Sequence, residues 1–169
     1  STFKAVEACK NAGIKIITMT DDDQEEALGA ALLLGIAEDR SYVIDCQKTS
    51  QTDFWNNERY VEIVDRSKVF CKPTLENKYR ILSHLKDQNR HIAMTINQPE
   101  DLQLIKNNVE LSIAMPSMAS DAAINAADLL VYENGFKAIT DAIMLSKEAY
   151  YTLRNSIRWI LSSVVGQLL

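Results

Sequence analysis

This chain of 169 residues contains few of the residues that build metal-bound or disulfide-linked domains. Its three cysteines, Cys9, Cys46 and Cys71, form no CxxC pair, so neither structural zinc nor a disulfide framework is expected. An odd cysteine count without a framework suits a reducing compartment. The two histidines, His84 and His91, have no partner at metal-ligand spacing and are expected at the surface. Only five glycines occur, and no Walker loop or GxGxxG motif is present.

The chain also lacks an excess of positive charge and long apolar runs. The formal net charge is −5, which excludes the chain as a whole from the strongly basic nucleic-acid binders. A hydrophobic content of 47% suffices for the core of one domain, and no run reaches the roughly 20 apolar residues of a membrane span. The first residues show no signal-peptide pattern. The apolar end, Trp159–Leu169, predicts either an amphipathic helix that allows a homodimer or the first part of a membrane span.

Strand and helix patterns alternate along the chain. This alternation predicts an α/β fold with a parallel sheet covered on both faces by helices. The predicted strands are Ile14–Met19, expected to be buried on both faces, Tyr42–Asp45, Lys68–Cys71, His91–Thr95, Val109–Met115 and Asp128–Tyr132. The predicted helices are Thr2–Ala12, Gln24–Leu34, Glu58–Arg66, Thr74–Lys86, one that begins near Pro99, Ser117–Ala126 and a long one from Phe136 onwards. In such sheets the site lies at the carboxyl ends of the strands.

The loop Thr20–Asp23 comes after the first predicted strand and combines a hydroxyl group with three carboxylates. Such a loop can bind phosphate oxygens and orient a metal ion or a base. The alternative is that it only begins the next helix, because Asp23 and Glu26 have the spacing of a capping box. Cys71 also ends a strand, and a small buried side chain is favoured there over a reactive thiol.

Two further candidate groups come after other strands. Lys78, with Arg80 nearby, lies close to a helix start, where its ammonium can reach a phosphoryl group; the alternative is a solvated helix face. In the segment Thr95–Asp101, Asn97 can offer a neutral oxygen to Mg²⁺ and Asp101 a charged one. The alternative there is an ordinary helix start with acidic residues in its first turn.

Several segments, in order along nearly the whole chain, carry motifs of one enzyme family. Residues 8–20 are similar to C..AGI.V.M.TGD, 69–82 to VFARV.P..K..IV, 92–95 to the start of VAMTGDGVNDAPAL, 112–115 to GIAMG, 120–128 to TDVAKEAADMVL, and 134–139 to DNFATI. Together they resemble the carboxyl-terminal part of the phosphorylation (P) domain of cation-transporting P-type ATPases. Residues 150–169 look like the stalk and the start of the fifth membrane helix in the calcium-pump-like branch of that family. Each motif is weak alone, and the ordered set is specific.

The resemblance implies a haloacid-dehalogenase-like (HAD-like), three-layer Rossmann-like fold. It also implies a site that couples ATP hydrolysis to ion transport through an aspartyl phosphate, with Mg²⁺ as cofactor and ATP as substrate. By position, Thr20 and Asp22 match the Thr and Asp of TGD, and Lys78 matches the phosphate-binding lysine.

The loop after the fourth predicted strand matches the GDGxND motif of the same family. Thr95 stands at the Thr before GDG, Asn97 at the Asp that binds Mg²⁺, and Asp101 at the second Asp of the motif. Ile96 and Gln98 replace both glycines, and Asn97 removes one negative charge from the implied metal site. Asp21 replaces the glycine of TGD and compensates for that charge only if it points inward.

The aspartate of DKTGT, which the family phosphorylates, is absent, and so is the nucleotide-binding domain that comes after it. The chain alone is therefore not expected to form a phosphoenzyme. We expect residues 1–135 to form an incomplete HAD-like core, and 136–169 a stalk helix with the start of a membrane-helix-like segment. The implied partners are the nucleotide-binding, actuator and transmembrane domains of a parent pump. The expected location is the cytoplasmic side of a membrane, with the isolated fragment soluble.

Two other functions remain open on the sequence. One is a degenerate, noncatalytic P domain with a regulatory or binding role, which the altered 95–101 loop favours. The other is a small stand-alone phosphatase of the same superfamily, against which the missing nucleophile motif argues.

Overall fold

A computed structural model describes residues 2–48, 58–132, 135–146, 151–152 and 155–157. Short strands alternate with helices, as the sequence predicts. The strands are β1 Thr18–Thr20, β2 Val43–Asp45, β3 Val69–Cys71, β4 Ala93–Thr95, β5 Leu111–Ala114 and β6 Leu129–Leu130. The helices are α1 Thr2–Asn11, α2 Gln24–Leu33, α3 Glu58–Arg66, α4 Leu75–Asp87, α5 Leu102–Asn108, α6 Asp121–Ala126 and α7 136–146, and short 3-10 turns occupy Arg40–Tyr42 and Pro99–Asp101.

The strands form two parallel sheets of three strands each. The first has the order β1-β3-β2 and the second β4-β5-β6, so β1 and β4 are both edge strands. In the register of the first sheet, Cys71 of β3 is opposite both Thr20 of β1 and Asp45 of β2. In the second sheet Thr95 of β4 is opposite Ile113 of β5. The α/β fold class, with parallel strands flanked by helices, is confirmed, and the strands are divided between two sheets.

Local signals account for several helix ends. Gly13 and Gly35 come after α1 and α2 with φ angles of 74° and 70°, a conformation that glycine adopts without steric cost, so both predicted helix ends are confirmed. The hydroxyl of Thr74 accepts a hydrogen bond from the backbone N–H of Asn77 at 3.2 Å and caps α4. Ser120 caps α6 in the same way, which is why that helix begins later than predicted.

Four apolar clusters form the core. Two of them pack on the first sheet, where Val69 and Phe70 of β3 are each 1% exposed. The other two pack on the second sheet; one surrounds Ile96 and the other contains Ile113. Phe136, at the start of α7, packs against one cluster of each sheet. The beginning of α7 is therefore held by the core.

The first predicted strand differs from the structure. The predicted strand is Ile14–Met19, whereas the observed strand is Thr18–Thr20. All three of its residues are partly exposed, so the prediction of burial on both faces is wrong. The physical reason is that β1 lies at the edge of its sheet and has a pairing strand on one side only.

The predicted long terminal helix is described in part. Residues 136–146, 151–152 and 155–157 are helical, and the rest of the stretch from 147 to 169 lies outside the described residues. Its length and the membrane-helix-like segment therefore stay predictions. Among the described residues, no helix is both long and apolar enough to cross a membrane.

Candidate functional site

The turn after β1 is closed by Thr20 and Asp22. The hydroxyl of Thr20 donates a hydrogen bond to Oδ2 of Asp22 at 2.7 Å and accepts one from the backbone N–H of Asp22 at 3.2 Å. Asp21, Asp22 and Asp23 are all exposed, so Asp21 does not point inward. A hydroxyl and a carboxylate are thus held side by side at the carboxyl end of β1, where both can contact a ligand from solvent.

Asp23 does not cap α2 as its sequence spacing suggests. It occupies the cap position without a side-chain hydrogen bond to the helix, so the predicted capping box is wrong. Its carboxylate instead forms an ion pair with Lys72, which comes after β3 with a φ of 48° and donates its N–H to the carbonyl of Thr20 at 2.7 Å. The hydrogen bond and the charge of Asp23 raise the pKa of Lys72. Sequence reasoning missed Lys72, although a basic residue directly after a strand and across from an acidic loop is a usable signal.

Lys78 and Asp101 form a second group at the start of α4 and after β4. The ammonium of Lys78 is 3.5 Å from Oδ1 of Asp101, and the two side chains are 26% and 9% exposed. The other oxygen of Asp101 accepts hydrogen bonds from the backbone N–H groups of Asn97 at 3.2 Å and Gln98 at 3.1 Å. Asp101 therefore organises the loop that precedes it, and Lys78 is a paired, half-buried cation and not part of a solvated face.

The loop at the position of the GDG motif is built around a buried side chain. Ile96 is fully buried and packs in one cluster with Ala114 and Ala123. Gln98 has a φ of −107°, and no residue of the loop is among the described positions with positive φ. The backbone here adopts no conformation that requires glycine, and the side chain of Ile96 packs into the core at the position of the first glycine of GDG.

Asn97 carries an unsatisfied oxygen in this loop. Its backbone carbonyl accepts a hydrogen bond from Ser120 at 2.9 Å, while Oδ1 of its side chain is buried and has no hydrogen-bond partner. A buried polar atom without a partner is costly, and such atoms often mark places where a ligand or an ion binds. Asn97 is also the residue that the family resemblance puts at the position of a Mg²⁺ ligand.

The described residues do not complete a magnesium site. Mg²⁺ prefers six oxygen ligands in octahedral geometry, including one or two carboxylates. Here Asn97 supplies one amide oxygen, and both oxygens of Asp101 already bind Lys78 or backbone N–H groups. Among the described residues, no group of three His, Cys, Asp or Glu side chains could hold a metal ion.

The predicted site residues fall into two groups. Thr20 and Asp22 contact each other, and Lys78, Asn97 and Asp101 form the second group. In the part of the chain that the structure describes, no hydrogen bond or ion pair joins the groups. The first group comes directly after β1, and the second combines Lys78, on the helix after β3, with the loop after β4. β1 and β4 are the edge strands of the two sheets. Thr95 is the exposed last residue of β4, and the nearby Arg80 pairs with Glu76 at 2.5 Å.

The cysteines and histidines are the remaining candidates for reactive side chains. Cys71 is fully buried, and burial together with the charge of Asp45 raises the pKa of its thiol, which confirms the inert alternative. His91 is exposed, as predicted. His84 is half-buried because α4 directs it towards Asp65, 3.2 Å away, and the prediction of a surface position is wrong for this residue.

Comparisons with known proteins find sequences similar to this chain among ion-transporting ATPases. No protein-family model matches it. It is 26% identical over 165 residues to calcium-transporting ATPase 1 of Bacillus cereus, and 26% identical over 165 residues to the human calcium-transporting ATPase type 2C member 1. It is also 25% identical over 175 residues to the P-type sodium-transporting ATPase4 of Toxoplasma gondii. Each alignment covers 98% of this chain.

A solved structure of the catalytic domain of the CPx-ATPase CopB-B has a similar fold. The TM-score is 0.58, with 20% sequence identity over 83% of this chain and 44% of that one. The chain spans less than a fifth of the length of these curated relatives, 18% of the Bacillus cereus and human proteins and 13% of the Toxoplasma gondii protein. The resemblance to cation-transporting P-type ATPases is confirmed over nearly the whole chain.

Proposed function

We propose that this chain is the carboxyl-terminal part of the phosphorylation domain of a cation-transporting P-type ATPase of the calcium-pump-like branch. In the parent protein it forms one side of the aspartyl-phosphate site on the cytoplasmic face of a membrane. Thr20, Asp22, Lys78 and Thr95 lie next to the phosphoryl group, and Asn97 and Asp101 lie on the side of the Mg²⁺. Two relatives named as calcium transporters support calcium as the ion, and a sodium-transporting relative is the alternative.

The arrangement of the two sheets carries this proposal. The described strands are parallel within each sheet, and Thr20 and Thr95 end the edge strands β1 and β4. An edge strand leaves a row of N–H and C=O groups open to pairing with a further strand. A parallel strand that paired with both edges would end between Thr20 and Thr95. A DKTGT segment at the end of such a strand would bring its aspartate to the two candidate groups.

Lys78 is suited to the phosphoryl side of such a site. It is half-buried and held by Asp101 at 3.5 Å, so it is positioned without being fully neutralised. Thr20 and Asp22 supply a hydroxyl and a carboxylate from the opposite edge. Cations and hydroxyls that converge on an aspartyl phosphate stabilise the charge that develops during phosphoryl transfer.

The test uses the full chain fused at its amino terminus, through a flexible linker, to a strand that carries the DKTGT segment. Calorimetry measures Mg²⁺ binding with and without beryllium fluoride, a phosphoryl mimic. We expect saturable binding that fluoride strengthens, and its loss in Asp22→Ala and Lys78→Ala. Asp21→Ala and Lys106→Ala, which remove exposed charges next to the site and on α5, are the matched controls and should bind normally.

A degenerate, noncatalytic P domain is the second candidate function. The observation that favours it is the loop around Ile96, which is packed as core and has Asn in place of the metal-binding Asp. Failure of the fused chain to bind Mg²⁺ at millimolar concentration, while it remains folded by circular dichroism, would give this function first place. A domain of this kind would bind or regulate another protein without hydrolysing ATP.

A further inference from the structure

A cleft of about 330 Å³ lies at the edge of the first sheet opposite the candidate phosphoryl site. Lys15, in its lining, precedes β1, and Lys68 immediately precedes β3. In a parallel sheet all strands begin on one side and end on the opposite side. These lysines therefore lie where the strands begin, and Thr20 and Cys71 lie where the strands end. The two places are separate, so ligand binding in the cleft is independent of the proposed function.

Positive charge is concentrated in this cleft. Its charged lining residues are Lys10, Lys15, Lys68 and Glu38, which leave an excess of two positive charges. The chain as a whole has a net charge of −5, so the excess is opposite in sign to the rest of the molecule. The carboxylate of Glu38 is 68% exposed and is 3.4 Å from Lys68, which makes it a weak, solvent-screened partner.

Two of the three ammonium groups donate to neutral oxygens. Lys10 donates to the carbonyl of Gly35, and Lys15 donates to the carbonyl of Asp65 at 2.7 Å. Within the described ranges, neither has a carboxylate at ion-pair distance. Their positive charges are thus held in place by carbonyls and are not cancelled by a carboxylate in contact. Each ammonium has three N–H groups, so each can still donate to an anion in the cleft.

The neighbourhood disfavours the charge of Lys15. Burial lowers its pKa, the charge of Asp65 opposes this shift, and the charges of Arg90 and Lys68 add to it. A bound anion would stabilise the protonated form of Lys15. A bound anion would therefore offset the repulsion among the positive charges around Lys15.

Lys68 is fixed in its position before binding. Its side chain is 21% exposed, and its ammonium lies 4.5 Å from the centroid of the Tyr42 ring, which also stacks with Arg66 at 5.7 Å. A cation that is already held costs less entropy to use in binding. Ile14, Ile16 and Ile36 form the apolar part of the lining.

We propose that this cleft binds a small phosphate-bearing anion through Lys10, Lys15 and Lys68. Its volume is at the lower end of the roughly 300–1,000 Å³ found for small-molecule sites, which fits a compact group such as a pyrophosphate or a phosphomonoester and not a whole nucleic acid. The same chemistry is offered by a free phosphate compound and by the headgroup of an anionic lipid.

The test measures binding of inorganic pyrophosphate to the full chain by calorimetry, and locates it by amide chemical shifts. We expect shifts at residues 10–16, 36–38 and 68, and a loss of affinity of about tenfold in each of Lys15→Gln and Lys68→Gln. Lys106→Gln is the control for total charge and should bind as the unaltered chain does. A loss of affinity in Lys78→Met with none in Lys15→Gln would place pyrophosphate at the candidate phosphoryl site and overturn the proposal.

A second arm separates the two sources of phosphate. Co-sedimentation with phosphatidylcholine vesicles, with and without phosphatidic acid, should show retention that requires both phosphatidic acid and Lys15 if the ligand is a headgroup. Pyrophosphate binding without such retention indicates a free ligand. Lys10→Gln keeps the Lys68–Tyr42 contact, so it tests the site even if Lys68→Gln unfolds. Equal pyrophosphate affinity in all variants, or shifts confined to residues 20–23 and 95–101, would overturn the proposal.

Discussion

The ammonium of Lys78 lies 3.5 Å from the carboxylate of Asp101, and this ion pair joins the helix after β3 to the loop after β4. The pair therefore connects elements that come after strands of two different sheets. The same helix, α4, also contacts α5 through the hydrogen bond from Lys86 to the carbonyl of Asn107. The geometry of the candidate site thus depends on Asp101 twice, once through Lys78 and once through the loop N–H groups that it binds.

Replacing Asp101 with Ala should destabilise the chain by about 1–3 kcal/mol. The substitution leaves two backbone N–H groups and a half-buried cation without their acceptor. Lys78→Met should cost less, because Asp101 keeps its backbone donors and the Lys78 side chain is 26% exposed. Urea unfolding followed by circular dichroism measures both, with Glu100→Ala as the exposed neighbouring control. A larger cost for Lys78→Met than for Asp101→Ala would contradict this order.

Replacing Asn97 with Asp should change metal binding and stability in opposite directions. In the chain fused to a DKTGT strand, the added negative charge should raise the affinity for Mg²⁺ by about tenfold. Without Mg²⁺ the same variant should lose about 1–3 kcal/mol of stability, because the side-chain oxygen of residue 97 is buried without a hydrogen-bond partner and would then carry a charge.

Calorimetry and urea unfolding, each with and without Mg²⁺, test the Asn97 prediction. Asn107→Asp adds the same charge at an exposed position of α5 and should change neither quantity appreciably. If Mg²⁺ fails to restore the stability of Asn97→Asp in the fused chain, residue 97 does not contribute to a metal site.

The features that the sequence predicts well are those that depend on residues close together in the chain. The alternation of strand and helix, the helix ends at Gly13 and Gly35, and Pro99 in the first turn of its helix all depend on contacts within a few residues. The family positions imply that Lys78 and Asp101 belong to one site, and the two side chains are in contact although they are 23 residues apart.

Features that depend on distant parts of the chain are predicted less well. The division into two sheets depends on which strands pair across long stretches of the chain, and no local pattern reports it. Asp23 has the spacing of a capping residue, but an ion pair with Lys72, 49 residues away, takes its carboxylate. The burial of Ile96 likewise depends on Ala114 and Ala123 from other elements, so the altered motif alone does not reveal it.

Acid should weaken the second sheet through Asp128. Its Oδ2 accepts hydrogen bonds from the hydroxyl of Ser112 at 2.6 Å and from the backbone N–H of Ser112 at 2.8 Å, and these bonds lower the pKa of Asp128. The stabilisation is present above the unfolded-state pKa of about 3.9 and is lost as the pH falls through the lower folded-state pKa. The urea midpoint of the unaltered chain should therefore fall more steeply in that pH window than the midpoint of Asp128→Asn. Asp87→Asn, at the exposed end of α4, is the control and should keep the steep fall.

The three cysteines should resist thiol reagents until the chain unfolds. All are buried, and burial, with smaller contributions from the charges of Cys71 and Asp45, raises the pKa of Cys46 to about 12. At mildly alkaline pH the reactive thiolate form of Cys46 is therefore rare. Reaction with a chromogenic disulfide should be slow in the native chain and complete in urea. Asp87→Cys supplies an exposed thiol that should react at once, and rapid reaction of the native cysteines would show that the sheet opens around them.

Placing glycine at position 96, as in the GDG motif, tests how much the buried side chain of Ile96 contributes to stability. Ile96 is fully buried among Ala114 and Ala123, so Ile96→Gly removes a complete core side chain and adds backbone freedom to the unfolded chain. The expected cost is about 3–5 kcal/mol of unfolding free energy. Gln98→Gly restores the other glycine of the motif at an exposed position and should cost about 1 kcal/mol or less. Equal costs for the two variants would mean that Ile96 is not a core residue. A large difference means that the packing of Ile96 against Ala114 and Ala123 stabilises the loop. Glycine at this position would then require the core of the second sheet to repack.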